Sequence, residues 1–232
     1  MAAAGALHGT VLVAGCQTGG RGRLGRSFSS KAGMGVYLSV ILRPECSGTQ
    51  LMHLTCAAAV AMCQAVETAA GFRPGIKWTN DLVFQGKKLG GILTELSMEP
   101  GSDRVAYAVV GIGINCRQKR EDFPPELQDM AVSAAMAAGK DVSPIVMAAA
   151  MINALHQMDR LLLQEKRAVM TQYRENCITL GKEISVVRGE EISHGTALDV
   201  DADGALVVDF GGGWVSTVTS GEVSIRGLYG YV

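Results

Sequence analysis

At 232 residues, with 48 % hydrophobic and 19 % charged side chains, the chain can bury a sizeable core, which excludes an intrinsically disordered protein. Its formal net charge of −1 excludes a broadly basic nucleic-acid surface. Six scattered cysteines without a C-x-x-C pair and four dispersed histidines exclude a zinc finger and argue against a disulfide scaffold, pointing to a reducing, cytoplasmic compartment.

Met1 to Leu7 reads as the tail of a helix, and Thr10-Val11-Leu12-Val13-Ala14 as a short strand. The strand leads to Gln17 and then to Gly19-Gly20-Arg21-Gly22-Arg23-Leu24-Gly25-Arg26, where four glycines alternate with three arginines and no acid intervenes. Glycine lets the backbone approach a ligand closely, and arginine brings a permanent charge with a planar fork that fits phosphate or carboxylate. The stretch describes a loop able to close over an anion, although the same composition also makes an ordinary solvated basic loop. Gly20-x-Gly22-x-x-Gly25 spells a dinucleotide fingerprint, and Gly20-x4-Gly25-Arg26-Ser27 is one residue from a P-loop. Both need a helix directly after the glycines. Here a Gly33/Gly35 turn and the apolar, β-branched run Val36 to Leu42 follow instead, so the loop joins two strands and neither motif survives.

Leu51 to Ala70 is apolar enough to raise the question of a membrane span, but His53, Gln64 and Glu67 punctuate it, so a buried core helix is expected, with Cys56 and Cys63 as core thiols. Ile76 to Phe84 reads as one strand interrupted by polar residues. After a Gln85-Gly86 turn come a strand from Lys87 to Leu96 and another from Arg104 to Asn115, together an antiparallel meander. Ser143-Pro144 opens a helix whose apolar period runs to about Asn176. From Ile178 the period drops to two, and Glu183–Val187, Thr196–Asp199, Ala205–Phe210, Trp214–Val218 and Glu222–Ile225 read as five short strands with a hairpin at Asp203-Gly204. These suggest a small β-barrel appended to the main body.

Four stretches now stand in order: Gln17 to Arg26, Lys77-Trp78-Thr79-Asn80-Asp81, Gly86-Lys87-Lys88-Leu89-Gly90-Gly91-Ile92-Leu93-Thr94-Glu95, and Gly111-Ile112-Gly113-Ile114-Asn115. In spacing and content the chain from about residue 10 onward resembles the biotin protein ligases, with Thr79 where that family usually has proline. The resemblance implies an α+β fold: a mixed or antiparallel sheet with packed helices, similar to the class II synthetase core, over residues 1–178, then an SH3-like barrel over 179–232. It implies a ligase that turns biotin and MgATP into biotinyl-5′-AMP and passes the biotinyl group to a lysine of a biotin carboxyl carrier protein. It assigns Lys88 and Arg21 to catalysis, and Gln17, Gly20, Arg21, Gly22, Arg23 and Lys88 to biotin. Arg23, Arg26, Trp78, Asn80, Asp81 and Asn115 fall to the nucleotide, and Phe28 to covering it; no protein metal site is expected beyond the Mg²⁺ that accompanies ATP.

Several of these residues also have plain structural readings. Lys87-Lys88 suits a solvated turn, Trp78 a core position, Asp81 a structural hydrogen bond and Asn115 the end of a strand. Two other functions compete: a lipoate ligase, against which the R-G-R-x-G-R loop argues, and a non-catalytic biotin or adenylate binder. Neither DNA nor a membrane is expected as a partner, and a homodimer is a further expectation. The family carries an S-T-N motif in a strand and helix preceding this region. No such motif stands before Gln17, so the expectation is either a biotin pocket short of one wall or a longer native protein, with weak or absent activity for this form and rescue by an N-terminal extension.

Overall fold

The computed structural model describes residues 1–22, 25, 30–219 and 222–225. Six strands, β1 (Thr10–Ala14), β2 (Gly35–Leu42), β3 (Gly75–Lys77), β4 (Asp81–Phe84), β5 (Lys87–Met98) and β6 (Val105–Asn115), form one sheet in the order β1-β2-β6-β5-β4-β3, every neighbouring pair antiparallel. The meander expected for the last three strands is there, and Gln85-Gly86 turns between β4 and β5 with φ of 48° and 78°. The stretch Ile76–Phe84 is two strands, not one. Trp78 to Asn80 make a tight reversal between β3 and β4, with Lys77 opposite Asp81 and the Trp78–Thr79 peptide cis. The polar residues that interrupt the apolar pattern are that turn.

Helices cover one face. Helix α1 (Leu54–Ala70) lies over β4 and β5, α3 (Pro144–Leu161) over β2, and α4 (Lys166–Asn176) beside β3, with the short α2 (Ala134–Ala138) against α1. Val36, Leu38, Val40, Val110, Ile112, Ile114 and Ile92 point into this layer, and α1 is so alanine-rich that it packs closely on three sides. The segment Thr49–Ala70 is long and apolar enough to cross a membrane, yet 72 % of that window is buried in the protein as its core helix. Cys56 and Cys63 are buried there as expected, and burial pushes each thiol up to about 12.

The helix expected to run from Pro144 to Asn176 is broken between Leu161 and Lys166. Buried His53, just ahead of α1, donates from Nε2 to the Leu162 carbonyl at 2.8 Å, so that carbonyl is spent on a tertiary bond rather than on the next helical turn. The N-terminal residues are not the end of a helix either. Ala2–Ala4 form a single 3-10 turn, closed by Gly5 at φ 86° and held by Arg43, whose guanidinium donates to the carbonyls of Ala2, Ala6 and Ala106.

The second sheet, β7 (Glu183–Arg188), β8 (Glu191–Val200), β9 (Leu206–Asp209), β10 (Val215–Val218) and β11 (Glu222–Ile225), has the order β10-β9-β8-β7-β11, again all antiparallel. Strand β8 starts five residues earlier than its pattern indicates, because its first half is exposed on both faces and shows no alternation. Among the described residues β10 and β11 remain the sheet's two edges, and no pairing closes it into a barrel.

Candidate active site

The face of the first sheet turned away from the helices carries the candidate site, and strand register lays it out. Ala14 pairs with Tyr37, Tyr37 with Gly113, Gly113 with Gly91, Gly91 with Asp81, and Asp81 with Lys77. Register partners share a face, so these residues form one lateral row. From Ala14 to Asp81 the row crosses four strand spacings, roughly 19 Å. Its middle is Gly113 and Gly91, which contribute no side chains. The result is a bare strip of backbone between the Asp81 end and the end that leads to the glycine–arginine loop.

At one end β4 and β5 place a cation against an acid. A register shift between Leu82 and Val83 makes Lys88 the partner of Val83 and Gly91 the partner of Asp81. The bulge therefore brings residues three apart in β5 to one side, an irregularity common beside active sites. Lys88 Nζ lies 2.6 Å from Asp81 Oδ1, and a methyl group built on Gly91 would meet that oxygen at 3.3 Å and Nζ at 3.4 Å. The Asp81 side chain is 15 % exposed, whereas Lys88 is about one-third exposed, so the ammonium reaches toward the open row. The Lys88 backbone is held too: its N–H donates to the Met130 carbonyl at 2.7 Å and its carbonyl accepts from Val132 at 2.9 Å. Lys88 is thus a clamped strand residue, not a loose turn lysine.

At the other end, the loop between β1 and β2 is latched at its base. Ser30 Oγ accepts from the Gln17 N–H and donates to the Gln17 carbonyl, both at 2.8 Å, and the Gly33 N–H donates to the Gly15 carbonyl at 3.0 Å. Beyond this latch Lys31 pairs with Asp122 at 2.5 Å, and that hydrogen bond, with a second from the Lys119 backbone, lowers the Asp122 carboxyl below the usual range. Gln17 and Arg21 are exposed, and Gly20 and Gly22 are half-buried. Arg23, Arg26 and Phe28 lie outside the described residues. The buried Tyr37 phenol, in the row beside the loop, is pushed up to about 12 by desolvation and stays neutral.

The remaining residues singled out from sequence divide. Asn80 donates from Nδ2 to the Ile92 carbonyl at 2.8 Å, and its own carbonyl accepts from the Ile92 N–H at 3.0 Å, which locks the start of β4 to β5 just before Asp81. Asn115 is buried, donating to the Val132 carbonyl and accepting from Gln118 Nε2. Both ends of its amide serve the joint that backs Lys88. Trp78 has the buried surroundings of its core reading. It is 4 % exposed, and its indole N–H donates to the Gly204 carbonyl of the second sheet's hairpin at 2.9 Å, a bond across 126 residues that no local pattern announces. Lys77, quoted in the motif but given no role, stands at the end of the row, 5 % exposed. Among the described residues no group of three or more His, Cys, Asp or Glu could hold a metal ion.

Comparisons with known proteins agree with this geometry. Residues 4–115 match the biotin/lipoate A/B protein ligase family, and residues 179–226 match the biotin protein ligase C-terminal domain. The bifunctional ligase/repressor BirA of Bacillus subtilis (strain 168) is 48 % identical over 135 residues, 58 % of this chain and 41 % of that protein. A biotin--[acetyl-CoA-carboxylase] ligase of Mycobacterium tuberculosis is 36 % identical over 141 residues, 57 % of this chain and 50 % of that protein. The chain thus spans half or less of the length of these two curated relatives. The solved structure of a biotin protein ligase from Aquifex aeolicus in complex with biotin and ATP superposes with a TM-score of 0.79 at 29 % identity, over 96 % of this chain and 90 % of that one.

Proposed function

Because the chain belongs to the biotin protein ligase family, we propose that it joins biotin to a lysine of a biotin carboxyl carrier protein in two steps, in the cytoplasm. In the first, a biotin carboxylate oxygen attacks the α-phosphorus of ATP; the bond to the β-phosphate breaks and pyrophosphate leaves, giving biotinyl-5′-AMP. In the second, the carrier's lysine amine attacks the acyl carbon, AMP departs and the amine loses a proton. The work divides between a body at 1–178 and a C-terminal unit at 179–232.

The observation that carries this reading is the bare glycine row with Lys88 on Asp81 at one end and the latched glycine–arginine loop at the other. Two anions, a carboxylate and a phosphate, repel each other, and a cation held between them removes that barrier. Unit charges about 4 Å apart interact by about 4 kcal/mol at an effective dielectric of ~20, so one pre-placed ammonium is worth several powers of ten in rate. Lys88 takes that role, with Asp81 orienting it. Gln17 and the Gly20-Arg21-Gly22-Arg23 segment cover biotin and then the adenylate, limiting its hydrolysis. Arg26 adds charge on the nucleotide side. Mg²⁺ fits this donor set: a lone carboxylate at Asp81 suits an ion carried mainly by substrate phosphates and water, whose charge it shields.

Exchange of labelled pyrophosphate into ATP tests the reading. Biotin-dependent exchange is expected, together with label transfer from biotin to a carrier domain. Exchange supported by lipoate instead identifies the sister activity, and biotin binding without any exchange identifies a non-catalytic binder; either result overturns the proposal.

A further inference from the structure

The turn that presents Asp81 is held by parts of the chain far from it. Between β3 and β4, the Trp78 N–H donates to Thr179 Oγ1 at 2.9 Å, the Trp78 indole to the Gly204 carbonyl at 2.9 Å, and Tyr173 Oη to the Thr79 carbonyl at 3.0 Å. Asn80 is bound twice to Ile92. Three of these anchors come from beyond residue 170: Tyr173 from α4, Thr179 from the segment leading to the second sheet, and Gly204 from its β8–β9 hairpin. Thr179 and Tyr173 are fully buried. The fit at Gly204 is close, for φ there is 92° and an added methyl would stand 2.8 Å from Cys56 Sγ on α1, so only glycine lets the hairpin reach the indole. Lys166 with Asp203, and Arg174 with Asp199 and the Val200 carbonyl, secure the same hairpin to α4.

We infer that Thr179 and Trp78 are positioning residues, through which the C-terminal unit clamps the Trp78–Asn80 turn and so sets the Asp81 carboxylate against Lys88. This rests on the ligase reading above and extends it, giving the second sheet a role in the first sheet's chemistry. The turn is three residues long, and Asp81 follows directly in sequence. Only Thr79, held by Tyr173, and Asn80, held by Ile92, lie between, so a displacement of the Trp78 peptide is passed along a short, tethered turn toward the carboxylate. Displacements near 1 Å remote from the chemistry can cost about a hundredfold in rate.

The test uses the full chain with Thr179→Val, which keeps shape but removes the acceptor, Thr179→Ser, which keeps the acceptor, and Trp78→Phe, which removes the indole N–H together with the five-membered ring. Trp214→Phe, at the other tryptophan, serves as control. For Thr179→Val and Trp78→Phe the expected result is a five- to twentyfold fall in kcat for biotin-dependent exchange with KM for biotin within twofold. Thr179→Ser and Trp214→Phe should stay within twofold of wild type in both. A readout independent of activity is the rate at which an amine-reactive ester labels Lys88, followed by mass spectrometry. It should rise severalfold in Thr179→Val while Lys87 is unchanged. Unchanged Lys88 labelling in folded Thr179→Val overturns the clamp, as does equal loss of kcat in Thr179→Ser. Absence of exchange in the wild type overturns the ligase reading alone, and the labelling still decides the clamp.

Discussion

Lys88 combines two demands that oppose each other. In the proposed role it must be held well enough to meet a carboxylate and a phosphate, yet keep its ammonium toward the open row; the Asp81 contact and the clamped backbone serve the first, and the absent side chain at Gly91 the second. Lys88→Ala should lower biotin-dependent pyrophosphate exchange by at least about a hundredfold, the scale of losing one pre-placed charge partner. Its melting temperature should fall only slightly, because a partly exposed ion pair contributes about 1 kcal/mol or less. Exchange within a few-fold of wild type on folded protein would contradict the assignment. Gly91→Ala is the finer probe. The added methyl touches both partners at 3.3–3.4 Å, so the pair must shift by tenths of an ångström. About a tenfold loss of kcat is expected with stability nearly unchanged, and wild-type kcat would show that the pair tolerates displacement. At this scale the glycine–arginine loop stands out from charge and glycine alone. Lys88 and Asp81 come forward only through the family resemblance, since a lysine pair at a turn and a polar break in a strand have ordinary structural readings. The bond from Trp78 to Gly204 was not legible, because Gly204 lies in the other sheet, and the same polar interruption of a strand serves a site wall or a turn equally well.

Among the elements, α1 carries a titration built into its N-terminal end. His53 donates from Nε2 to the Leu162 carbonyl, so its proton sits there and Nδ1 holds the lone pair; among the described residues Nδ1 has no hydrogen-bond partner and is buried. Protonation would place a charge in the core with no acceptor for Nδ1 among the described residues. Burial accordingly lowers the His53 pKa from the ordinary 6.5. The unfolded chain then binds more protons than the folded one below about pH 6.5, so stability is full above that value and falls as pH drops through it. Urea midpoints measured from pH 7.5 to 5 should decline in the wild type and decline less in His53→Gln; parallel slopes would remove His53 as the cause. The same contact explains one limit of sequence reading at this level. Period and composition carried the helical signal through Leu161–Glu165, since a tertiary bond to one carbonyl leaves no trace in the pattern. The strands were read with better fidelity wherever at least one face is buried, as in β2, β5 and β6, and least well in β8, whose first four residues are exposed on both faces.

At the scale of the whole molecule the two sheets share a core. One contiguous apolar cluster includes Ile92, Ile112 and Met151 of the body, Tyr173 and Cys177 at the junction, and Ile184, Val200, Leu206 and Val208 of the second sheet. The junction is also bonded through the backbone, for the Ile178 N–H donates to the Ile76 carbonyl at 2.9 Å, beside a bridge pairing Ile76 with Cys177. Units joined by small polar interfaces move and melt independently, whereas a shared apolar core makes separation expose surface that each unit needs buried. Each Å² of apolar surface so exposed costs about 25 cal/mol, so parting the sheets is unfavourable unless the body melts as well. The body and the second sheet should therefore unfold together. Calorimetry is expected to give one endotherm whose calorimetric and van't Hoff enthalpies agree, and Trp214 fluorescence, reporting on the second sheet, should lose its native signal at the same temperature as far-UV circular dichroism. Thr179→Val should move that single transition without splitting it, since the cluster survives the loss of one hydrogen bond. Two transitions in the wild type, with Trp214 melting first, would mean that the junction is a docking contact rather than a common core, and that the second sheet could leave the β3–β4 turn while the body stayed folded.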